Sequence, residues 1–147
     1  MNEHSIEIIA RAIITDEGNT KILFCTPKDS EYFYLPGGHV EFGETAESAL
    51  VRELFEEAGV DASEAEFRQV GTVENIFTQS GVSHHEINLL FEVKGVFSGT
   101  EEVPSLEEEI SFQWHSVADI PTLPVFPEKV KDLLAQKKNE TEFLTRN

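Results

Sequence analysis

Three glutamates, Glu53, Glu56 and Glu57, follow Arg52 in the stretch Arg52-Glu53-Leu54-Phe55-Glu56-Glu57-Ala58-Gly59-Val60. On a helix the spacing i, i+3, i+4 gathers these carboxylates into one patch. Like charges on adjacent turns destabilise a helix by a few tenths of a kcal/mol per pair. Such a patch makes physical sense with something positive over it. Hard oxygen donors at that density suit magnesium, with manganese as the alternative, in octahedral coordination. Upstream, Gly37 and Gly38 carry no side chain, so a main-chain carbonyl can approach the same ion. Arg52 adjoins the patch and can clamp a carboxylate bidentately, aiming the remaining oxygens at the metal.

A glutamate-rich helix face is more often plain solvated surface, and taken alone these residues favour that reading. The wider pattern overturns it. Gly38, Glu44, Arg52, Glu53, Glu56, Glu57 and Gly59 stand at fixed offsets, with aliphatic Leu54 and Val60 among them. Even allowing for glutamate-rich composition, chance produces such a match on the order of once in 10⁶ windows.

The elements around this stretch follow from local signals. Thr45 caps a helix over 46–58 and Gly59 closes it. Projected at 100° per residue, Leu50, Val51, Leu54, Phe55 and Ala58 form the expected buried arc. The glutamates are expected on the opposite side, with Ala46 and Ala49 as small neighbours. Upstream, 5–15 reads as a strand, 16–19 as a turn, and 21–25 as the returning strand of a hairpin. The aromatic run 32–35 reads as a short strand stopped by Pro36-Gly37-Gly38. Downstream, 66–78, 86–97 and 112–115 read as strands, and 128–137 as a helix with Val130, Leu133 and Leu134 as its apolar stripe. Residues 139–147 lack a pattern and read as a tail. With no internal repeat or linker, residues 1–147 are expected to form one α/β domain.

Composition bounds the function. The chain carries 28 acidic and 11 basic side chains, a formal charge of -17. That field disfavours long nucleic acid. A small anion remains compatible where bound cations neutralise the site, and solubility is the plain alternative use of the acids. Cys25 is the one cysteine, so no internal disulfide forms and a buried thiol is expected. The apolar run 6–14 contains Glu7 and Arg11 and lacks a cleavage signal, and no stretch is long enough to span a membrane. The expectation is a cytoplasmic protein.

The stretch Gly38–Val60 resembles the signature of the Nudix hydrolase family, G-x5-E-x7-R-E-U-x-E-E-x-G-U with U aliphatic, at every specified position. The resemblance implies an α/β/α sandwich on a mixed central sheet, the signature forming a loop–helix–loop. It implies metal-dependent hydrolysis of a pyrophosphate linkage in a nucleoside diphosphate derivative or nucleoside triphosphate. By the same resemblance Glu53, Glu56 and Glu57 are metal ligands together with the Gly38 carbonyl, while Glu44 and Arg52 orient the helix and its carboxylates. Some family members recruit a further acid from a loop before a late strand. Glu108 is the choice here from the run Glu107-Glu108-Glu109, with a solvated loop as the competing reading. A homodimer is the corresponding expectation of assembly.

Phosphoryl transfer asks little covalent chemistry of a protein, so positioning and charge stabilisation suffice. No Ser-His-Asp or Cys-His arrangement and no P-loop is evident. For substrate binding, Phe33 and Phe77 offer faces on which a nucleobase can stack, as do Tyr34 and Trp114. Each also suits a core or sheet-face position. His85, beside His84, opens a strand and is a further candidate, against a plain surface pair. Residues 74–78 lack the tyrosine or proline that marks some substrate subgroups, so the nucleotide stays unnamed. A sensing domain without turnover and an RNA 5′-end pyrophosphohydrolase are the competing functions.

Overall fold

A computed structural model describes the backbone of residues 4–99 and 101–139, and side chains up to residue 135. Six strands, two α-helices and a 3₁₀ turn follow the order β1 (Ile6–Ile14), β2 (Lys21–Pro27), β3 (Gly37–His39), α1 (Ala46–Ala58), β4 (Glu66–Gln79), β5 (Val82–Lys94), β6 (Ile110–Ser116), the turn Val117–Thr122, and α2 (Glu128–Asn139). A four-stranded mixed sheet runs β3-β1-β5-β4, and a second, two-stranded sheet pairs β2 with β6. Among these strands β1 and β5 pair in parallel and the other pairings are antiparallel. The expected α/β/α layering on a mixed sheet is present.

Strand alternation explains the layers. Ala10, Ala12 and Ile14 of β1 point to one face, where they pack with Leu50, Leu54 and Ala58 of α1. Ile13 points to the other face and packs with Ile120, Val130 and Leu134. Each fully buried leucine or isoleucine contributes about 1.5–3 kcal/mol of burial. The central sheet is thus closed by α1 on one side, and by the 3₁₀ turn and α2 on the other.

Several local expectations are corrected. Residues 6–14 and 21–27 do not form a hairpin sheet: they meet only at the Thr15–Ile22 bridge, after which β2 pairs along its length with β6. The aromatic run 32–35 makes isolated bridges, Tyr34 to Cys25 and Phe33 to Val125, while Gly37–His39, read as a stop, is the edge strand β3. Strand β5 starts at Val82, four residues before the expected 86. Of the expected tail, Asn139 is the last residue of α2 and the rest lies outside the described residues.

Candidate active site

Helix α1 is built as its caps predict. The Thr45 hydroxyl accepts the Ser48 N–H at 3.1 Å, and the Gly59 N–H bonds back to the last turn. Its buried face, however, is rotated from the expected one. Ala49, Leu50, Leu54, Glu57 and Ala58 are buried, whereas Phe55 is 60% exposed. Glu57 therefore lies within the buried stripe beside Leu50, and the alanines belong to the core rather than to a polar face. The wheel misleads because a carboxylate is assigned to water by default.

Glu57 is only 7% exposed, and its Oε1 has no hydrogen-bond partner among the described residues. Burial first, then the charges of Glu53 and Glu107, push its carboxyl up to about 8; Arg11 and the Gly37 N–H pull the other way. Glu53 is also raised, chiefly by burial and against the pull of Arg52.

At the other end of the motif, Arg52 organises the charges. Its Nε and Nη2 donate to the two oxygens of Glu44 at 3.0 and 2.9 Å, a bidentate pair. Nη1 donates to Glu53 at 3.0 Å and Glu56 at 3.2 Å, and Nη2 also reaches the His39 carbonyl at 2.9 Å. The guanidinium, together with the Glu41 N–H, holds the half-buried Glu44 carboxyl down at about 2.

Strand β3 lies against these groups because it is glycine. A Cβ on Gly38 would stand 2.4 Å from the Glu53 carboxyl carbon. Gly37 has φ +141°, and a Cβ there would stand 2.0 Å from the Ala10 carbonyl oxygen. The ladder also decides which carbonyl is free. Val40 N–H bonds to Ile8 and Ala12 N–H to Pro36, so by antiparallel alternation Ala10 and Gly38 are a bonded pair. The carbonyls of Gly37 and His39 point away from β1, and that of His39 meets Arg52. The open main-chain oxygen beside Glu57 is that of Gly37, a correction to the expected Gly38.

Among the described residues no three His, Cys, Asp or Glu side chains already converge at ion-binding range. Glu53 and Glu56 each lend an oxygen to Arg52 instead, so the expected convergence is not present. The donor chemistry nevertheless fits a hard divalent cation. A buried carboxylate oxygen lacks a partner, a second half-buried carboxylate adjoins it, and a main-chain oxygen is open beside both.

The remaining predicted residues scatter. Leu106 N–H donates to the Glu57 carbonyl at 2.7 Å, drawing the acidic loop to the end of α1. All three acids of the run 107–109 are exposed, and the one whose charge acts on Glu53 and Glu57 is Glu107 rather than Glu108. Phe33 packs against Phe24 and His115 in the α2-side core, apart from the carboxylates. Phe77 stacks on His84 at 4.8 Å, on the sheet face opposite α1. His85 pairs with Glu74 at 2.7 Å on the other face. Arg11, which sequence reasoning passed over, adjoins the site: it lies 5.4 Å from the Tyr34 ring centroid and bonds to the Leu35 carbonyl. A lone arginine in an isoleucine-rich strand was the available signal. Cys25 is buried, and burial with Glu57 nearby raises its thiol well above the ordinary range, as suits a structural residue.

A loop–helix–loop with this carboxylate set on an α/β/α sandwich defines a class, and comparison with known proteins agrees. The NUDIX domain model matches residues 7–136, and the chain belongs to the Nudix family. It is 32% identical over 111 residues to an NAD-capped RNA hydrolase, NudC, of Deinococcus radiodurans, covering 67% of this chain but only 36% of that relative's length. It is 49% identical over 47 residues to an ADP-ribose pyrophosphatase of Methanocaldococcus jannaschii, covering 30% of this chain and 28% of that protein. The MutT protein from Methanosarcina mazei shares the fold at TM-score 0.73 and 22% identity, covering 97% of this chain and 99% of that one. Nudix hydrolases generally need a divalent metal cation. No helix among the described residues is long and apolar enough to cross a membrane.

Proposed function

We propose that the chain is a magnesium-dependent pyrophosphohydrolase that splits a nucleoside diphosphate derivative or nucleoside triphosphate and releases a nucleoside monophosphate. One observation carries this reading: a buried carboxylate oxygen of Glu57 without a partner among the described residues, set beside a glycine edge strand and the carboxylate of Glu53. An unpaired buried acid costs stability, so it is retained where a cation is to be bound.

Glu57, Glu53 and the Gly37 carbonyl would hold the ion from the buried side, and Glu56 from the exposed side. A divalent cation there supplies charge neutralisation at the pyrophosphate oxygens. Arg52 fixes the rotamers of Glu53 and Glu56, and Glu44 fixes Arg52 in turn. Glu107 adds negative charge at the end of α1 and increases the site's demand for a cation. The names of the relatives support the reaction class, since NAD-capped RNA and ADP-ribose both contain a phosphoanhydride. The charge of -17 favours a small substrate over an RNA chain.

The test is a panel of nucleoside triphosphates, ADP-ribose and dinucleotides, incubated with protein and magnesium. Release of a nucleoside monophosphate, stopped by chelator, is expected from at least one member. Saturable binding with no turnover across the panel would favour a sensing domain.

A further inference from the structure

The sheet face turned away from α1 carries more polar groups than its structural role requires. By alternation and register, Glu7 and Arg11 of β1, Glu86, Asn88 and Glu92 of β5, and Asn75 of β4 point to it. Two of its acids have basic side chains as partners. Glu7 bonds to His39 at 2.6 Å and His84 at 3.1 Å, and Glu92 pairs with Arg68 at 3.1 Å. Glu86 is the exception. It is half-buried, and among the described residues its one polar contact is the Asn88 amide at 3.3 Å. No cation among them pairs with it.

The groups around Glu86 form an ordered row. Arg11 Nε donates to Asn88 Oδ1 at 3.2 Å, and Asn88, fully buried, passes the chain on to Glu86. Asn75 stands directly across the strand pair from Glu86. Arg11 spends Nε on Asn88 and Nη1 on the Leu35 carbonyl, leaving Nη2 uncommitted among the described residues. The row therefore offers a donor at the Arg11 end and an acceptor carboxylate at the Glu86 end. Arg11 also stands opposite Gly37 in the ladder and acts on the Glu57 charge, so the row begins beside the proposed metal site.

We infer that this row is the specificity subsite of the proposed hydrolase, with Glu86 reading a heterocycle edge that carries adjacent N–H donors and Arg11 meeting a neighbouring ring carbonyl. The inference rests on the hydrolase reading for the substrate's phosphates, but it concerns the other end of the molecule. An amino-oxo ring edge offers acceptor, donor, donor in the order that the row is built to meet. A carboxylate discriminates because a ligand lacking a donor leaves it desolvated and unpaired.

Guanosine and inosine nucleotides differ by one exocyclic amine and form the probe pair. In calorimetric titrations with magnesium, guanosine monophosphate should bind about tenfold tighter than inosine monophosphate, the value of one hydrogen bond to a charged group. Glu86→Gln should bring that ratio to about one, and Asn75→Ala should narrow it by a few-fold through the neighbouring position. Equal binding of both nucleotides by the unaltered protein, or a ratio that survives Glu86→Gln, overturns the inference. Base-selective binding without turnover of any triphosphate, ADP-ribose-type compound or dinucleotide in the panel would refute the hydrolase reading and leave this subsite standing.

Discussion

Glu44 and Glu57 sit at opposite ends of one loop–helix segment and meet opposite treatment. Glu44 is half-buried, held bidentately by Nε and Nη2 of Arg52, and kept down at about 2. Glu57 is buried on the same face as Leu50 and Leu54, lacks a partner for one oxygen among the described residues, and is pushed up to about 8. The first arrangement completes the fold; the second leaves the fold incomplete. Function belongs where a residue disagrees with its surroundings, since a satisfied group has nothing left to offer a ligand.

The contrast breaks most sharply at Glu57. Glu57→Gln keeps the shape and removes the charge, and turnover should fall by roughly 10²–10⁴-fold, the scale of a lost acid–base or ligand group. The same variant should be more stable than the parent when metal-free at pH 8. The sign follows from linkage. A carboxyl near 4.5 in the unfolded chain and about 8 in the fold binds more protons when folded between those values. Stability therefore falls as pH rises from about 4.5 to about 8, by an amount on the order of a few kcal/mol. Thermal melts across that range, with and without magnesium, check it: the ion should restore stability in the parent and do little for the variant. A parent whose metal-free stability is flat over this window would show that Glu57 is not the strained group.

Glu44 predicts the opposite slope, with stability lost as pH drops from about 4.5 towards about 2. Its partner gives the second test. Arg52→Lys preserves charge but loses the fork that holds Glu44, Glu53 and Glu56 together. Activity or magnesium affinity should fall by roughly 10–100-fold, as for other residues that orient metal ligands, with the fold retained. Circular dichroism with a magnesium titration separates this from unfolding.

How much of this was readable in advance depends on the range of the interaction that decides it. Thr45, Gly59 and the 3.6 spacing are local, so α1 could be placed to the residue. The strand partner of 21–27 could not: turn residues at 16–19 suggest a hairpin, while pairing with 110–116 is set by packing across the molecule. The wheel of α1 went astray for a related reason. Glu57 and Leu50 lie on adjacent directions, and only the edge strand shows that both face inward. Gly37 and Gly38 were indistinguishable by type, because a ladder's bonding parity depends on its register with β1. The family signature located the chemistry at Gly38–Val60. It could not say which oxygens the fold leaves free.

Loop 101–109 poses the same problem at smaller scale and gives the finest test. Glu107, Glu108 and Glu109 are alike in sequence, and the choice among them rests on the bond from Leu106 N–H to the Glu57 carbonyl. That bond fixes the loop so that the Glu107 charge acts on Glu53 and Glu57. Glu108, the neighbour favoured on sequence alone, is as exposed as Glu107 but is not among the charges that raise those two carboxyls. Because Glu107 acts at a distance, its removal should cost less than loss of a direct ligand. Glu107→Gln should weaken magnesium binding by about 2–10-fold, the range of roughly 0.4–1.4 kcal/mol expected for one partly solvated charge. Glu108→Gln should leave it unchanged within about twofold. Raised salt should shrink the Glu107 effect, since an exposed charge is screened while a ligand bond is not. Equal effects from both substitutions would mean that the loop contributes only a diffuse field, and that Leu106 holds it for structural reasons alone.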